Sequence, residues 1–180
     1  MNESFPNPSE KALMEVREEL RKMAATDQET RTSGRMDVEI DKRNTARLKE
    51  IIAKHGWPTV STFGSKAANN AWLLVQHADA EPSFQEECLQ ILKDLPEGEA
   101  SKGHIAYLED RVRVNTGRPT LYGTQFYEVE GRLVPRPIES PDQLEERREA
   151  AGLETFEEYK AHMEKLNQDR KQEGKLEQKN

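Results

Sequence analysis

The chain has 180 residues and a formal net charge of −7, with 34% hydrophobic and 34% charged residues. This length fits a single domain, and the negative charge argues against a nucleic-acid binder, because phosphate binding needs clustered Lys and Arg. With one cysteine, Cys88, an internal disulfide and a cysteine-built zinc site are excluded. No apolar run approaches the roughly 20 residues of a membrane helix, and no signal-peptide core is present. We therefore expect a cytoplasmic protein that does not bind membranes.

The N-terminal third shows apolar residues at helical spacing. Residues 10–25 predict a helix capped by Ser9, and residues 26–35, rich in Thr, Ser and Gly, are expected to interrupt it. A second helix is predicted over residues 37–55, with Gly56 as its C-cap, followed by a connector over residues 57–63. We expect an N-terminal arm and helix over residues 1–36, a single α-rich domain over residues 37–166, and a disordered charged tail over residues 167–180.

The most apolar stretch of the chain is residues 63–79, and the remaining elements are expected to pack around it. Four small or apolar residues recur there at helical spacing, namely Ala67, Ala71, Leu74 and Val75, which predicts a buried central helix. This helix ends in His77 and Asp79. Polar groups at the end of a buried helix are costly unless they find partners. The stretch is therefore the best candidate for a functional site.

Two more helices are predicted downstream, over residues 82–95 and 99–115. Aromatic and β-branched residues on both sides of Glu130-Gly131 then predict a β-hairpin over residues 120–129 and 132–137. Helical spacing returns over residues 141–151 and from residue 155 onward. The sequence thus predicts a mainly α fold, a helical bundle of six to seven helices with one short β-hairpin.

Five polar blocks follow one another between residues 57 and 159: Trp72-Leu-Leu-Val-Gln-His-Ala-Asp79, Tyr107-Leu-Glu-Asp-Arg-Val112, Tyr122-Gly-Thr-Gln125, Pro135-Arg-Pro-Ile-Glu139, and Arg147-Arg148 with Gly152-Leu153. In this order the blocks resemble a bacterial family described only as a domain of unknown function. The resemblance implies that the blocks belong to one domain. It implies no reaction.

His77 is the first candidate for chemistry. A histidine can take up or release a proton near neutral pH, so it can serve as general acid or base. Helical spacing places Asn70 and His77 on one strip, with Gln76 and Asp79 beside them as candidate substrate-binding and catalytic groups. The alternative is a core histidine hydrogen-bonded to a carboxylate or carbonyl. Asp79 has its own alternative, which is to cap the next helix.

Four candidates lie in the later blocks. Asp110 and Arg111 are adjacent on a predicted helix. One interpretation is an internal ion pair; the other is that Asp110 orients the histidine and Arg111 binds a substrate anion. Tyr122 and Gln125 have side chains typical of the orienting groups in a small-molecule pocket. In a strand, Tyr122 and Thr124 would face one side and Gln125 the other. Their alternative role is to fix the register of the hairpin.

The function that these residues favour is a small-molecule enzyme that applies histidine acid/base chemistry to an anionic or polar substrate, with no organic cofactor. We expect His77, Asp110, Arg111, Tyr122 and Gln125 to share one network. No metal is expected, because the His and Asp spacings match no zinc motif and scatter around their helices. The alternative is a non-catalytic binding or interaction module, such as an accessory or immunity protein, with a protein as its partner and the network as a structural element.

Overall fold

The computed structural model describes residues 9–32 and 37–177. The predicted arm over residues 1–8, the end of the predicted break and the last three residues lie outside that range. The chain divides into two compact units, Met1–Leu108 and Glu109–Asn180. The described residues form eight α-helices and one two-stranded sheet, which confirms a mainly α fold with one short hairpin. Within the same residues, no helix has the length and apolarity needed to cross a membrane.

The first unit is built around one helix. Its elements are α1 (Glu10–Thr32), α2 (Val38–His55), α3 (Val60–Phe63), α4 (Ser65–Gln76), α5 (Pro82–Asp94) and the start of α6 (Lys102–Asn115). Helix α4 packs against α1, α2, α3 and α5, as predicted for the central helix. The small residues Ala67 and Ala71 are buried on it and allow this close packing. Cys88 of α5 is fully buried, and burial raises the pKa of its thiol to about 12.

Helix α1 is longer than predicted. It runs through residues 26–32, where the sequence had predicted a break, so that prediction is wrong. The hydroxyls of Thr30 and Thr32 donate to the carbonyls of Thr26 and Gln28, each four residues earlier, so these side chains are satisfied inside the helix. The buried stripe Val16, Leu20, Ala24 and Asp27 reaches into the segment and ends at Asp27.

The helix boundaries differ from the predictions in three further places. The connector before α4 contains the short helix α3. Helix α4 ends at Gln76, so His77 stands at its C-cap and Asp79 lies beyond it. Helix α6 begins at Lys102 instead of residue 99. Helix α2 agrees with prediction, since Gly56 is its C-cap with a φ of 73°.

The second unit contains the hairpin. Strands β1 (Phe126–Val129) and β2 (Arg132–Pro135) pair antiparallel, with Val129 opposite Arg132. Glu130 and Gly131 both have positive φ, 49° and 79°, as a two-residue type I′ turn requires. A 3-10 helix (Pro141–Gln143), α7 (Leu144–Ala150) and α8 (Phe156–Glu177) follow, and α8 packs on β2 and α7.

Helix α8 extends into the segment predicted to be a tail. It continues from residue 167 to Glu177, and the side chain of Asn167 donates to the carbonyl of Gly131 at 3.0 Å. Lys171 contacts the same carbonyl. These contacts attach this part of the helix to the hairpin turn, which explains why a strongly charged sequence has a defined position.

Candidate active site

The turn after α4 places His77. Its backbone N–H donates to the carbonyl of Leu74, and Gln85 of α5 holds the end of the helix from the side. The buried amide of Gln85 donates to the carbonyl of Val75 at 3.0 Å and to Oδ1 of Asp79 at 3.2 Å. Helix ends leave carbonyls without intrahelical partners, so Gln85 fixes the turn that presents His77.

Asp79 is not at the N-cap position of the next helix. Glu81 occupies the N-cap position of α5, so the cap prediction for Asp79 is wrong. The carboxylate of Asp79 accepts from Gln85 instead.

The carboxylate that contacts His77 is Asp27 of α1. Nδ1 of His77 lies 2.9 Å from Oδ1 and 2.8 Å from Oδ2 of Asp27. The side chain of Asp27 is 1% exposed and that of His77 is 14% exposed. An imidazole nitrogen between two oxygens of a buried carboxylate is a strong, charge-assisted contact. It fixes the orientation of the ring.

Arg31 and Asp41 complete the cluster. Arg31 Nη2 donates to Oδ1 of Asp41 at 2.9 Å, and its Nε lies 3.3 Å from Oδ1 of Asp27. Burial alone would raise the pKa of Asp27, but the hydrogen bond and charge of His77, with the charge of Arg31, lower it below its ordinary value. Burial raises the pKa of Asp41, against the charge of Arg31. We call Asp27, Arg31, Asp41 and His77 the dyad cluster, after the pair Asp27 and His77.

The contacts of His77 determine its tautomer. Arg31 Nε lies 3.0 Å from Nδ1, but two N–H groups cannot donate to each other. Because Nδ1 has two carboxylate oxygens within 2.9 Å, we assign the proton to Nδ1, donating to Asp27. In the neutral ring the lone pair then lies on Nε2. Among the residues that the structure describes, no hydrogen bond to Nε2 is found, so this nitrogen can accept a proton from a ligand.

Two other predicted residues lie on α4. Gln76 is buried next to His77 in the chain. Asn70 lines a groove of about 1020 Å³ between α1, α3 and α4, whose walls include Met14, Arg17 and Phe63. Arg17 donates to the carbonyls of Phe63 and Thr62 at 2.9 and 3.0 Å. Asn70 therefore belongs to a surface groove of the first unit.

Asp110 is the centre of a second cluster, in the second unit. It is fully buried, and its carboxylate accepts from the backbone N–H groups of Leu121 at 2.6 Å, Tyr122 at 3.1 Å and Thr124 at 2.9 Å. The Thr124 hydroxyl adds a bond at 2.9 Å. Burial raises the pKa of Asp110, and the backbone bonds oppose that rise. Because most of its partners are backbone N–H groups of one loop, this carboxylate holds the loop in its conformation.

The segment Tyr122-Gly-Thr-Gln125 is a loop and not a strand, so the prediction that Tyr122 and Thr124 face one side of a sheet is wrong. Its amides bond to Asp110 instead of a neighbouring strand, and β1 begins only at Phe126. Gly123 has a φ of 66°, and a Cβ there would lie 2.7 Å from the ring of Phe156. The group that lies closest to this glycine is therefore a protein side chain. The Gln125 amide donates to the Thr124 hydroxyl at 3.3 Å.

Two arginines of α7 hold the same loop, and sequence reasoning had given them no role in it. Arg147 donates to the carbonyl of Leu121 at 2.7 Å. Arg148, 1% exposed, donates to the carbonyl of Tyr122 at 2.5 Å. Tyr159 donates from its hydroxyl to the carbonyl of Thr124 at 3.1 Å. These hydrogen bonds from Arg147, Arg148 and Tyr159 end on backbone carbonyls, which is the pattern of a structural cluster.

The profile of one sequence family, described as a family of unknown function, matches residues 12–169. The chain belongs to this family, DUF6624. The match confirms the resemblance to a domain of unknown function. No curated protein and no solved structure matches the chain.

The predicted site residues of this DUF6624 chain therefore fall into two sets. His77, Asp79, Asn70 and Gln76 lie in the first unit, and Asp110, Arg111, Tyr122 and Gln125 lie in the second. Arg111 is half-buried on α6, and Asp110 is bonded to loop amides. The hypothesis that His77 shares a network with the second set stays a prediction. In the described part of the chain, no group of three or more His, Cys, Asp or Glu side chains is placed to hold a metal ion.

The orienting carboxylate could have been found in the sequence. Asp27 lies three residues after Ala24 and seven after Leu20, on the stripe that buries α1. Arg31 follows four residues later, at the spacing of a helical ion pair. The predicted break over residues 26–35 left both residues outside any predicted helix.

Proposed function

We propose that this DUF6624 protein is a small-molecule enzyme in which His77 transfers protons through Nε2. The observation that supports the proposal is the contact of Nδ1 with the buried carboxylate of Asp27. A carboxylate in this position holds an imidazole in one tautomer and stabilises the imidazolium formed when the other nitrogen takes a proton. A positioned acid/base group contributes about 10²–10⁴-fold to a rate.

The chemical step that follows is a proton transfer. Nε2 accepts a proton from a substrate hydroxyl, an amine or a water molecule, and the charge of the new imidazolium is balanced by Asp27. The same proton is then returned from Nε2 to the leaving atom. Arg31 links Asp27 to Asp41 and keeps the two carboxylates from repelling each other.

The other parts of the proposal have weaker support. Gln76 and Asn70 remain proposed ligand contacts. Gln76 is buried beside His77, and Asn70 lines the groove between α1, α3 and α4. Arg111 remains a proposed ligand for a substrate anion. The backbone contacts of Asp110 favour a structural role for its loop, including Tyr122. A cytoplasmic location is supported by the composition, with its single cysteine and net charge of −7.

The rival function is a non-catalytic binding or interaction module, in which the dyad cluster only stabilises the first unit. The two functions differ in what happens to Nε2. A catalytic base must be reactive, and replacing it should cost little folding stability, because sites built for function often trade stability for activity. A purely structural cluster must lose stability when it is cut, by about 2 kcal/mol or more.

The test measures the tautomer and reactivity of His77. In ¹⁵N-labelled protein we expect His77 to carry its proton on Nδ1 and to react with diethyl pyrocarbonate at Nε2. Asp27→Asn should shift the proton toward Nε2 and slow the reaction, because an amide NH₂ can donate to Nδ1. His162→Gln is the matched control, since His162 is exposed on α8 and should leave His77 unchanged.

The same variants test catalysis directly. Wild-type protein is screened for turnover of both anionic and uncharged esters and amides, and any activity should fall about 100-fold or more in His77→Gln while the melting temperature changes little. A proton on Nε2 in the wild type, or a loss of about 2 kcal/mol or more of stability with no reactivity to lose, would support the structural module instead.

The pH dependence of stability gives a further prediction for Asp27. Its pKa is lowered in the folded protein, so it contributes stability above its unfolded pKa of about 3.9, and this is lost as pH falls through the folded pKa. The difference in free energy of unfolding between wild type and Asp27→Asn should thus be larger at pH 7 than at pH 3. Urea unfolding at both pH values measures it. An equal difference at both would mean that the ionised form of Asp27 contributes nothing.

A further inference from the structure

The side-chain amide nitrogen of Asn44, near the dyad cluster, has no hydrogen-bond acceptor among the described residues. Asn44 of α2 is 5% exposed, and its amide nitrogen is buried without a hydrogen bond to any residue within 9–32 or 37–177. Buried amide groups are nearly always hydrogen-bonded. An amide donor left without an acceptor inside a helical core is therefore a group that a ligand can satisfy.

The position of Asn44 connects it to the dyad cluster. Asp41 and Asn44 are three residues apart on α2 and so are neighbours on one face of the helix. The same face continues through the buried residues Leu48 and Ile51. Asp41 binds Arg31, whose Nε lies 3.0 Å from Nδ1 of His77. Asn44 thus lies one helical turn from a member of the dyad cluster, on the buried side of α2.

The charges of the cluster indicate which acceptor fits. With His77 neutral, Asp27 and Asp41 bring two negative charges against the single positive charge of Arg31, whose contacts already go to both of them. A carboxylate or phosphate placed here would meet net repulsion. An uncharged carbonyl oxygen would not, and it accepts readily from an amide N–H. The terminal torsion of an asparagine is broad, so its N–H groups can turn toward such an oxygen.

We infer that Asn44 is a substrate-positioning residue, whose amide N–H donates to the uncharged carbonyl oxygen of an amide or ester substrate held beside His77. This inference rests on the proposed function and narrows its substrate from an anionic or polar compound to an uncharged carbonyl compound. Asn44 binds and orients the carbonyl group, and His77 moves the proton.

The experiment uses the full chain and compares two buried neighbours. Asn44→Leu replaces the amide by an apolar group of similar size, and Thr45→Val is the control, because the Thr45 hydroxyl is satisfied by the carbonyl of Asp41 at 2.8 Å. Asn44→Leu should keep or raise the melting temperature, since it removes an unsatisfied donor. Thr45→Val should not raise it. A drop of more than about 4 °C in Asn44→Leu would mean that Asn44 supports the fold, and would overturn the inference.

Binding is measured with acetamide and acetate as probes, which differ little except in charge. Acetamide should shift the side-chain NH₂ signals of Asn44 in ¹⁵N spectra saturably, and acetate should need at least about ten times the concentration, a difference of about 1.4 kcal/mol. Acetamide should lose its effect on the neighbouring backbone signals in Asn44→Leu. Equal binding of both probes, or no shift at Asn44, would overturn the inference.

The outcomes also separate this inference from the proposed function. If His77 has the Nδ1–H tautomer and a reactive Nε2 but acetamide does not reach Asn44, only the role of Asn44 fails. If acetamide binds at Asn44 while His77 is unreactive, the site is a binding pocket and the proposed catalysis fails. A bound water in place of a ligand would leave the Asn44 signals insensitive to acetamide, which counts against the inference.

Discussion

Replacing Asp110 by alanine should lower the free energy of unfolding by about 3–5 kcal/mol. The carboxylate is fully buried and accepts from three backbone N–H groups and one hydroxyl of a single loop. Removing it leaves these donors without acceptors, at a cost of about 1–3 kcal/mol for each donor that stays buried. Water entering the cavity offsets part of this cost, and for that reason the expected loss is less than the full sum.

The measurement is urea unfolding followed by circular dichroism. Asp169→Asn is the matched control, because Asp169 is exposed on α8 and surface changes of this kind stay within about 0.5 kcal/mol. Hydrogen exchange should also become faster at the amides of Leu121, Tyr122 and Thr124 in Asp110→Ala. Protection of those amides at wild-type levels would show that the loop does not depend on Asp110.

Replacing Arg148 should have the next largest effect on stability, about 3–4 kcal/mol for Arg148→Met. The guanidinium is 1% exposed. It donates to the carbonyls of Tyr122 and Glu154 at 2.5 and 2.7 Å. Its carbon lies 5.0 Å from the ring centre of Tyr159 and 5.8 Å from that of Phe156, within the range of cation–π attraction. Methionine fills the volume but leaves both carbonyls unpaired.

The neighbouring arginine provides the comparison. Arg147 also donates to loop carbonyls, but it is only half-buried, so water can replace its bonds in Arg147→Met. We expect that loss to be about 1 kcal/mol. Arg148→Lys should fall between the two, because an ammonium keeps the charge but not the planar geometry that reaches two carbonyls and two rings. Equal losses of unfolding free energy in Arg147→Met and Arg148→Met would show that burial of the guanidinium does not determine its contribution to stability.

Sequence patterns identified the elements better than the contacts between them. Helical spacing correctly placed α4 at the centre of the first unit, and the Glu130-Gly131 pair correctly placed the hairpin turn, because both signals are local. The loop around Gly123 was read as a strand because its residues have high β-propensity. That propensity is weak compared with hydrogen bonds to a buried carboxylate, and no local pattern shows that Asp110 supplies them.

The candidate site was predicted in part for the same reason. His77 stood out because a polar group at the end of a buried helix needs a partner. The partner, Asp27, lies 50 residues earlier, and its helix passes through threonines that look like a break. Their hydroxyls bond back to the helix itself, which only the folded geometry reveals.

The burial of Cys88 has a practical consequence. Thiol-reactive dyes need a thiolate, and with its pKa raised to about 12 the Cys88 thiol stays protonated and inert at neutral pH. It is also the only cysteine of the chain. The natural sequence thus accepts a single engineered surface cysteine as a unique labelling point. A fluorophore or spin label could be attached to a cysteine introduced on the exposed face of α1 without first removing a native thiol.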